Sequence, residues 1–189
     1  CMKVLIAFIR LLSHLPLRVL YVLSDFFYVI VYYVARYRRG VVRENIEKSF
    51  SEKNVKELRQ IERGYYHFFC DYVVETIKLI SMSEQEMRQR MVMEGVEDME
   101  RSLDKCPFVF VYLGHYCNWE WITSLPLWRE HGQTHCGQLY RPLKNKAFDG
   151  LFLNLRQRFG AECISKYDAL RQIIKMKKEG MRSIIGFIS

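Results

Sequence analysis

A histidine and a carboxylate stand close together in the segment LGHYCNWEW, which runs from Leu113 to Trp121. His115 follows a glycine that ends an apolar run, and Glu120 lies five residues further on. A histidine in such a loop can remove a proton from a hydroxyl, and a carboxylate near its ring fixes the tautomer and stabilises the imidazolium. The segment therefore predicts a general base, His115, with Glu120 as its partner.

The context of this motif is more specific than its spacing. With five histidines and 21 acidic residues in the chain, a His-x4-acidic match has about an even chance of arising by accident. No other histidine has an acidic residue at that offset, and His115 alone follows a predicted buried strand through a glycine. Those other histidines are His14, His67, His131 and His135. This context favours a catalytic role for His115 over a structural one.

The cysteines offer a second possible chemistry. Cys117 lies two residues after His115, so a thiol nucleophile stays open, although a small packing residue is the favoured interpretation. The six cysteines contain no C-x-x-C pair and no spacing typical of a zinc site or a disulfide framework. We therefore expect reduced thiols and no metal.

A basic segment, YRPLKN, runs from Tyr140 to Asn145. Arg141 could hold a phosphate or carboxylate with two parallel hydrogen bonds, and the start of the following helix would add donors. A solvated basic turn explains the same residues equally well. Arg156 and Arg158 lie near the end of that helix, where cations are favourable for structural reasons alone.

These candidates lie at the ends of predicted strands. The run from Phe108 to Leu113 is apolar on both alternations, which predicts a strand buried on both faces. Further strands are predicted ending near 140, at 162–165 and at 182–188, and helices at 118–130, 145–159 and 167–178. The alternation predicts an α/β fold, a mainly parallel sheet with flanking helices, preceded by an N-terminal membrane-associated helix and a helical segment. Parallel sheets bind ligands at the carboxyl ends of their strands, where His115 and Arg141 are predicted.

The N-terminal region predicts a membrane anchor. Residues 15–35 are almost continuously apolar, but Arg18 and Asp25 lie among them, so a spanning and an interfacial helix both remain open. Four arginines follow and favour a cytoplasmic position for the rest of the chain: Arg36, Arg38, Arg39 and Arg43. The net charge of +8 fits an anionic partner, and the adjacent apolar segment favours a membrane over nucleic acid.

Between anchor and sheet, the sequence predicts an amphipathic helix capped by Ser51 and ending near Ile80. Asp71 and Glu75 lie on one of its faces and could form a carboxylate pair, but a polar helix face is the favoured interpretation. We predict three regions: an anchor with a basic boundary (1–40), a helical segment (41–105) and an α/β core (106–189).

The chain resembles the lipid A biosynthesis acyltransferases, the late or secondary acyltransferases within the lysophospholipid acyltransferase superfamily. The resemblance covers nearly all of the chain. It includes the apolar N-terminal segment and the motifs YRRGVVRENIEKSF, GHYCNWE, YRPLKN and RQRFGAECI. The family usually continues past a strand like SIIGFIS, so the resemblance implies a C-terminally incomplete chain.

This resemblance implies an enzyme that moves a fatty acyl group from acyl carrier protein onto a hydroxyl of a lipid A-type glycolipid precursor. It implies no metal and no bound cofactor, and a place at the bacterial inner membrane with the catalytic part on the cytoplasmic side. It assigns the base to His115 and its partner to Glu120. It assigns substrate binding to Arg141, Asn118, Tyr140 and Arg156, with Arg141 either contacting the anionic group of the substrate or supporting the developing oxyanion.

Two other functions remain open from the sequence. The acceptor could be a lysophospholipid or an aminolipid, because acceptor choice depends on the shape of a pocket. The chain could instead be a non-catalytic module that binds anionic membranes through its anchor and basic residues. Nucleic-acid binding is disfavoured, since no recognised motif for it is present.

Overall fold

The structure is a computed structural model, and it describes residues 2–130, 132 and 134–188. Two compact units make up the chain: Leu11–Lys78 forms one, and Cys1–Arg10 with Leu79–Ser189 forms the other. The division into anchor, helical segment and core stays a prediction, and its first and last residues lie outside the described part.

Helices precede the sheet and alternate with its strands. Those in the described residues are α1 (Met2–Ser13), α2 (Leu17–Val29), α3 (Arg39–Ser49), α4 (Val55–Leu79), α5 (Glu84–Arg90), α6 (Val96–Ser102), α7 (Lys146–Gln157) and α8 (Ala169–Lys178). A π-helical turn, Ile30–Val34, continues α2. The N-terminal region therefore contains two successive helices, since Pro16 has no backbone N–H and begins the second one.

Four parallel strands form the sheet of the described residues, which confirms the predicted α/β class. They are β1 (Phe108–Leu113), β2 (His135–Tyr140), β3 (Glu162–Ser165) and β4 (Ser183–Ile188), in the order β1-β4-β2-β3. All three pairings are parallel, so every carboxyl end lies at the same edge of the sheet. That edge carries the loops that begin at Gly114, Arg141 and Lys166.

The prediction that β1 is buried on both faces is wrong. Phe110 and Tyr112 are 45% and 76% exposed, whereas Val111 and Leu113 on the opposite face are half-buried. The exposed rings lie against Phe187 of β4, with centroids 5.5 Å and 5.2 Å apart. On this face, among the described residues, ring contacts with β4 take the place of a covering layer.

The helix predicted at 118–130 is a 3-10 helix, Trp119–Trp128, with Asn118 at its N-cap. Pro126 lies within it and lacks the N–H that an α-helix would use at that position. The tighter winding has three residues per turn, so Glu120 and Thr123 lie on the same face. Both are buried.

The N-terminal end of α4 differs from the prediction as well. Asn54, and not Ser51, caps this helix: its Oδ1 accepts hydrogen bonds from the N–H groups of Lys56 and Glu57 at 3.0 Å and 3.1 Å. The Glu57 carboxylate accepts in turn from the N–H of Asn54 at 2.9 Å. This reciprocal pair is a capping box, and it starts the helix later than predicted.

The polar face of α4 contacts α2. The hydroxyl of Ser24 donates to Asp71 at 2.7 Å, and that of Tyr21 donates to Glu75 at 2.8 Å. Asp71 and Glu75 thus serve as separate acceptors on a polar helix face, as favoured from the sequence. Beside them, a core of stacked rings and one thiol joins the two helices, formed by Tyr28, Tyr32, Tyr66 and Cys70.

One described helix, Leu17–Val34, is long and apolar enough to cross a membrane. Only 28% of this segment is buried within the protein. Apolar side chains such as Val22 and Phe26, 68% and 63% exposed, cover its outer face. An apolar surface of this kind is typical of a membrane-contacting helix, although a core helix or a signal sequence passes the same length and hydropathy test.

Candidate active site

His115 lies in the loop directly beyond the carboxyl end of β1 and is exposed. A tight turn follows, in which the N–H of Tyr116 donates to the carbonyl of Gly114 at 2.9 Å. Cys117 then adopts a left-handed conformation with φ of 48°, which reverses the chain into the 3-10 helix. The His115 ring meets the ring of Trp119 edge to face, with centroids 4.8 Å apart. The imidazole is therefore held by an aromatic neighbour while it stays open to a substrate.

Glu120 is buried, and its carboxylate is held by Arg156. The Nε of Arg156 donates to one carboxylate oxygen at 2.8 Å, and Nη2 donates to the other at 2.6 Å. The side chain of Glu120 is 4% exposed and that of Arg156 is 21% exposed. Charge-assisted hydrogen bonds with this bidentate geometry are stronger than hydrogen bonds between neutral groups. Here they fix the start of the 3-10 helix against α7. The arginine guanidinium also lies 5.3 Å from the ring centroid of Phe152.

The contact between Glu120 and His115 that the spacing predicts is not made within the described structure. Both carboxylate oxygens face Arg156 instead, because a buried carboxylate is stabilised far more by a guanidinium than by a neutral imidazole. In the absence of substrate, catalytic hydrogen bonds are often long or unformed. The catalytic roles of the two residues stay a prediction.

The other predicted site residues follow neighbouring strands. Tyr140 ends β2 and is half-buried, and burial raises the pKa of its hydroxyl. Arg141 follows it, is exposed, and makes no ion pair with any described residue. Asn118 is the N-cap of the 3-10 helix, two residues before Glu120. Their roles in substrate binding likewise stay predictions.

A single strand separates the loops of His115 and Arg141. The order β1-β4-β2 places β4 between the two, and adjacent strands are about 4.8 Å apart, so the two strand ends are separated by about 10 Å. A hydroxyl near His115 and an anionic group near Arg141 would therefore belong to well-separated parts of one substrate.

The two cysteines within the strands, Cys136 of β2 and Cys163 of β3, are packing residues. Cys136 is 2% exposed, and burial raises the pKa of its thiol to about 11. Burial also raises the pKa of Cys163, which accepts a hydrogen bond from Gln138. Cys117 is exposed and close to His115 in the chain. Among the described residues, no group of three or more His, Cys, Asp or Glu side chains could hold a metal ion.

Two contributions to this site could not be read from the sequence. The partnership of Arg156 with Glu120 joins residues 36 positions apart, and Arg156 was assigned to a helix end or to substrate. Gln138 supports that arginine, because its Nε2 donates to the carbonyl of Arg156 at 3.3 Å. Trp119 lies within the motif itself, so its aromatic character was a visible signal for a ring contact with His115.

Residues 2–188 match the sequence model of a family described as bacterial lipid A biosynthesis acyltransferase. The chain belongs to this family. The lipid A acyltransferase family thus accounts for the whole described chain, including the apolar helices as well as the sheet. No curated protein matches the sequence. The protein is accordingly a bacterial acyltransferase that acts on a lipid A-type substrate, and its apolar N-terminal helix agrees with association with a membrane.

Proposed function

We propose that this lipid A acyltransferase moves a fatty acyl group from acyl carrier protein onto a hydroxyl of a glycolipid precursor, with His115 as the general base. The observation that carries the proposal is the loop after β1. It presents an exposed imidazole at the ligand-binding edge of the sheet, five residues before a buried carboxylate that is held by an arginine. The carrier protein as donor is inferred from the resemblance of the sequence motifs.

The reaction follows from this arrangement. The hydroxyl oxygen of the glycolipid attacks the carbonyl carbon of the thioester while the free ring nitrogen of His115 takes the hydroxyl proton. The resulting tetrahedral oxyanion collapses and breaks the carbon–sulfur bond. The departing thiolate of the carrier takes the proton from the imidazolium. An ester and a free thiol are formed, and His115 ends neutral, as it began.

Glu120 has an electrostatic role in this scheme. The imidazolium that forms on His115 is stabilised by a carboxylate nearby in the chain, and the loop that joins the two residues is only four residues long. Arg156 holds that carboxylate in its buried position with two charge-assisted hydrogen bonds. Substrate binding would tighten the contact between the imidazole and the carboxylate, as catalytic hydrogen bonds commonly do.

Arg141 would bind the anionic part of the acceptor. Its guanidinium is exposed and makes no ion pair among the described residues, so its donors are available to a phosphate. The separation of about 10 Å between the ends of β1 and β2 suits a glycolipid, whose phosphate and reacting hydroxyl lie on different parts of the molecule. Tyr140 and Asn118 flank the same edge and would contact the sugar or the acyl ester.

The place of action would be the bacterial inner membrane, with the catalytic unit on the cytoplasmic side, where acylated carrier protein is found. The apolar outer face of α2 supports membrane contact, and the arginines that follow it support a cytoplasmic boundary. The partners are therefore acyl carrier protein, an anionic glycolipid and the membrane, with no bound cofactor and no nucleic acid.

The experiment uses the gene in its native reading frame, expressed in a host that lacks late acyltransferases, and records lipid A by mass spectrometry. Wild type should add one acyl chain, and His115→Ala should add none while it accumulates normally in the membrane. His14→Ala removes another exposed imidazole and should behave as wild type.

Any of three results would overturn the proposal. Acylation by His115→Ala at the wild-type level would exclude His115 as the base. If folded wild type leaves lipid A unchanged but acylates lysophosphatidic acid or an aminolipid, the acceptor is a different lipid. No transfer to any acceptor, together with binding to anionic membranes, would support the non-catalytic module.

A further inference from the structure

We propose that an apolar cavity beside the catalytic loop holds the acyl chain during transfer, and that Gly186 of β4 limits the chain length that the cavity accepts. This inference rests on the proposed function. The cavity has a volume of about 360 Å³ and lies between the sheet, the 3-10 helix and the segment that leads into α6. Leu113, Thr123, Met99 and Gly186 are among the residues that line it.

The lining of the cavity includes residues close in the chain to the proposed base and its carboxylate partner. Leu113 lies two residues before His115 and lines the wall that β1 contributes. Thr123 lines the facing wall one 3-10 turn after Glu120. A thioester whose carbonyl lies at His115 could therefore pass its hydrocarbon tail directly between these two walls.

The size and chemistry of the cavity fit a hydrocarbon chain. Its lining is mostly aliphatic side chains and methionines, which adapt to flexible apolar ligands. An apolar cavity of about 150 Å³ takes up benzene, a molecule of six carbons, so about 360 Å³ has room for roughly a dozen carbons. That number lies in the range of common fatty acyl groups.

Gly186 forms part of the sheet surface that faces the cavity. A Cβ built on it would lie 3.9 Å from Cδ1 of Leu113, on the side of the sheet that the cavity occupies. The contact is of ordinary van der Waals length, and the backbone of Gly186 does not have a positive φ. A larger residue is therefore compatible with the strand, and its side chain would take up space that the acyl chain needs.

The test offers the purified full-length enzyme, in detergent, a mixture of acyl carrier proteins loaded with chains from eight to sixteen carbons. The acceptor is a tetra-acylated lipid A precursor, and mass spectrometry measures the distribution of chains transferred. Gly186→Ala, Gly186→Val and Gly186→Leu should favour progressively shorter chains. For Gly186→Leu we expect the ratio of short to long products to rise by about tenfold or more, because single methylenes in apolar pockets discriminate to that extent.

A second variant changes the cavity in the opposite direction. Met99→Ala removes a flexible side chain from the wall and should increase transfer of the longer chains. It also keeps the inference testable if Gly186→Leu does not fold. Phe187→Leu is the matched control, because this neighbour on β4 lies against Tyr112 on the opposite face of the sheet. It should leave the preference unchanged.

The outcomes separate this inference from the function on which it rests. Active Gly186 and Met99 variants with the wild-type chain distribution would overturn the inference and leave the acyltransferase proposal intact. Absence of any transfer by wild type would instead refute the proposed function. A matching shift in Phe187→Leu would also overturn the inference, since it would assign the effect to distortion of β4.

Discussion

At the scale of single residues, the central feature is a buried charge with one strong partner. Glu120 is buried, and Arg156 meets both of its carboxylate oxygens with separate donors at 2.8 Å and 2.6 Å. Such a pair costs little as long as it is complete, but loss of one member leaves a buried charge without compensation. Variants of the two residues should therefore not be additive.

Arg156→Ala should lower the free energy of unfolding by about 3 kcal/mol, because Glu120 is then buried without a partner. Adding Glu120→Gln to Arg156→Ala should recover part of that loss, since the uncompensated charge is removed. Denaturant unfolding in detergent measures both values. The single variant Glu120→Gln completes the comparison. If the stability loss of the double variant equals the sum of the losses of Arg156→Ala and Glu120→Gln, the two side chains are not energetically coupled.

Cys117 allows the thiol alternative to be tested without damage to the loop. Its φ of 48° lies in the region that glycine adopts freely and other residues adopt at a cost of about 1–2 kcal/mol. Cys117→Gly should therefore preserve stability to within about 1 kcal/mol and retain acyl transfer. Cys117→Val should be destabilised, because a β-branched residue is strained at positive φ.

Measurements of activity and thermal stability on these two variants decide whether the Cys117 thiol takes part in the reaction. A folded Cys117→Gly enzyme without acyl transfer would make the thiol a participant in the reaction and would contradict the His115 mechanism. The buried thiols are unsuited to that role, because burial raises the pKa of Cys136 to about 11 and keeps it protonated at neutral pH.

At the scale of elements, periodicity and breaking residues predicted much of the sheet. The bounds of β1 and β3 agree with the apolar runs that predicted them, and α7 begins after Asn145, which accepts hydrogen bonds from the N–H groups of Ala147 and Phe148. Helix type was not predictable in the same way. The 3-10 winding after Asn118 depends on Pro126 and on burial of Glu120. The spacing of hydrophobic residues alone does not predict how either of them changes the helix type.

The apolar outer face of α2 gives a prediction at this scale. Phe26 is 63% exposed on that face, so Phe26→Glu should weaken membrane association by about 3 kcal/mol if this position lies within the hydrocarbon. Gln60→Glu adds the same charge at an exposed position of α4 and should have little effect. Sedimentation of the full-length protein with membranes measures the bound fraction. Equal binding by wild type and Phe26→Glu would mean that this face does not contact lipid.

At the scale of the whole molecule, the site is assembled by the order of the strands. The sequence predicted that His115 and Arg141 follow strand ends, but it contained no signal that β4 separates them, because parallel pairing across long crossovers is decided by packing. The same limit applies to Glu120 and Arg156, which meet only once the 3-10 helix and α7 are both in place. Local motifs predicted the candidates, and tertiary structure decided their partners.

The charge of the molecule leads to a prediction about how it binds membranes. Of the four arginines after the apolar helix, Arg39 and Arg43 bind the buried carboxylate of Glu62, at 2.9 Å and 3.0 Å. Arg36 and Arg38 are exposed and make no ion pair within the described part of the chain. Their charges are thus available to anionic head groups, whereas the other two are already compensated within the protein.

Replacing Arg36 and Arg38 together by asparagine should weaken binding to anionic vesicles by about 2 kcal/mol, or roughly 30-fold, at about 1 kcal/mol for each arginine. Asparagine is chosen because both positions have φ near 50°, which it tolerates. Lys177→Gln with Lys178→Gln removes the same net charge from α8 and should change binding less. Co-sedimentation with phosphatidylglycerol-containing and neutral vesicles at low and high salt measures each contribution. Equal losses in both double variants would show that net charge alone drives binding; no loss in either would show that the apolar helix suffices.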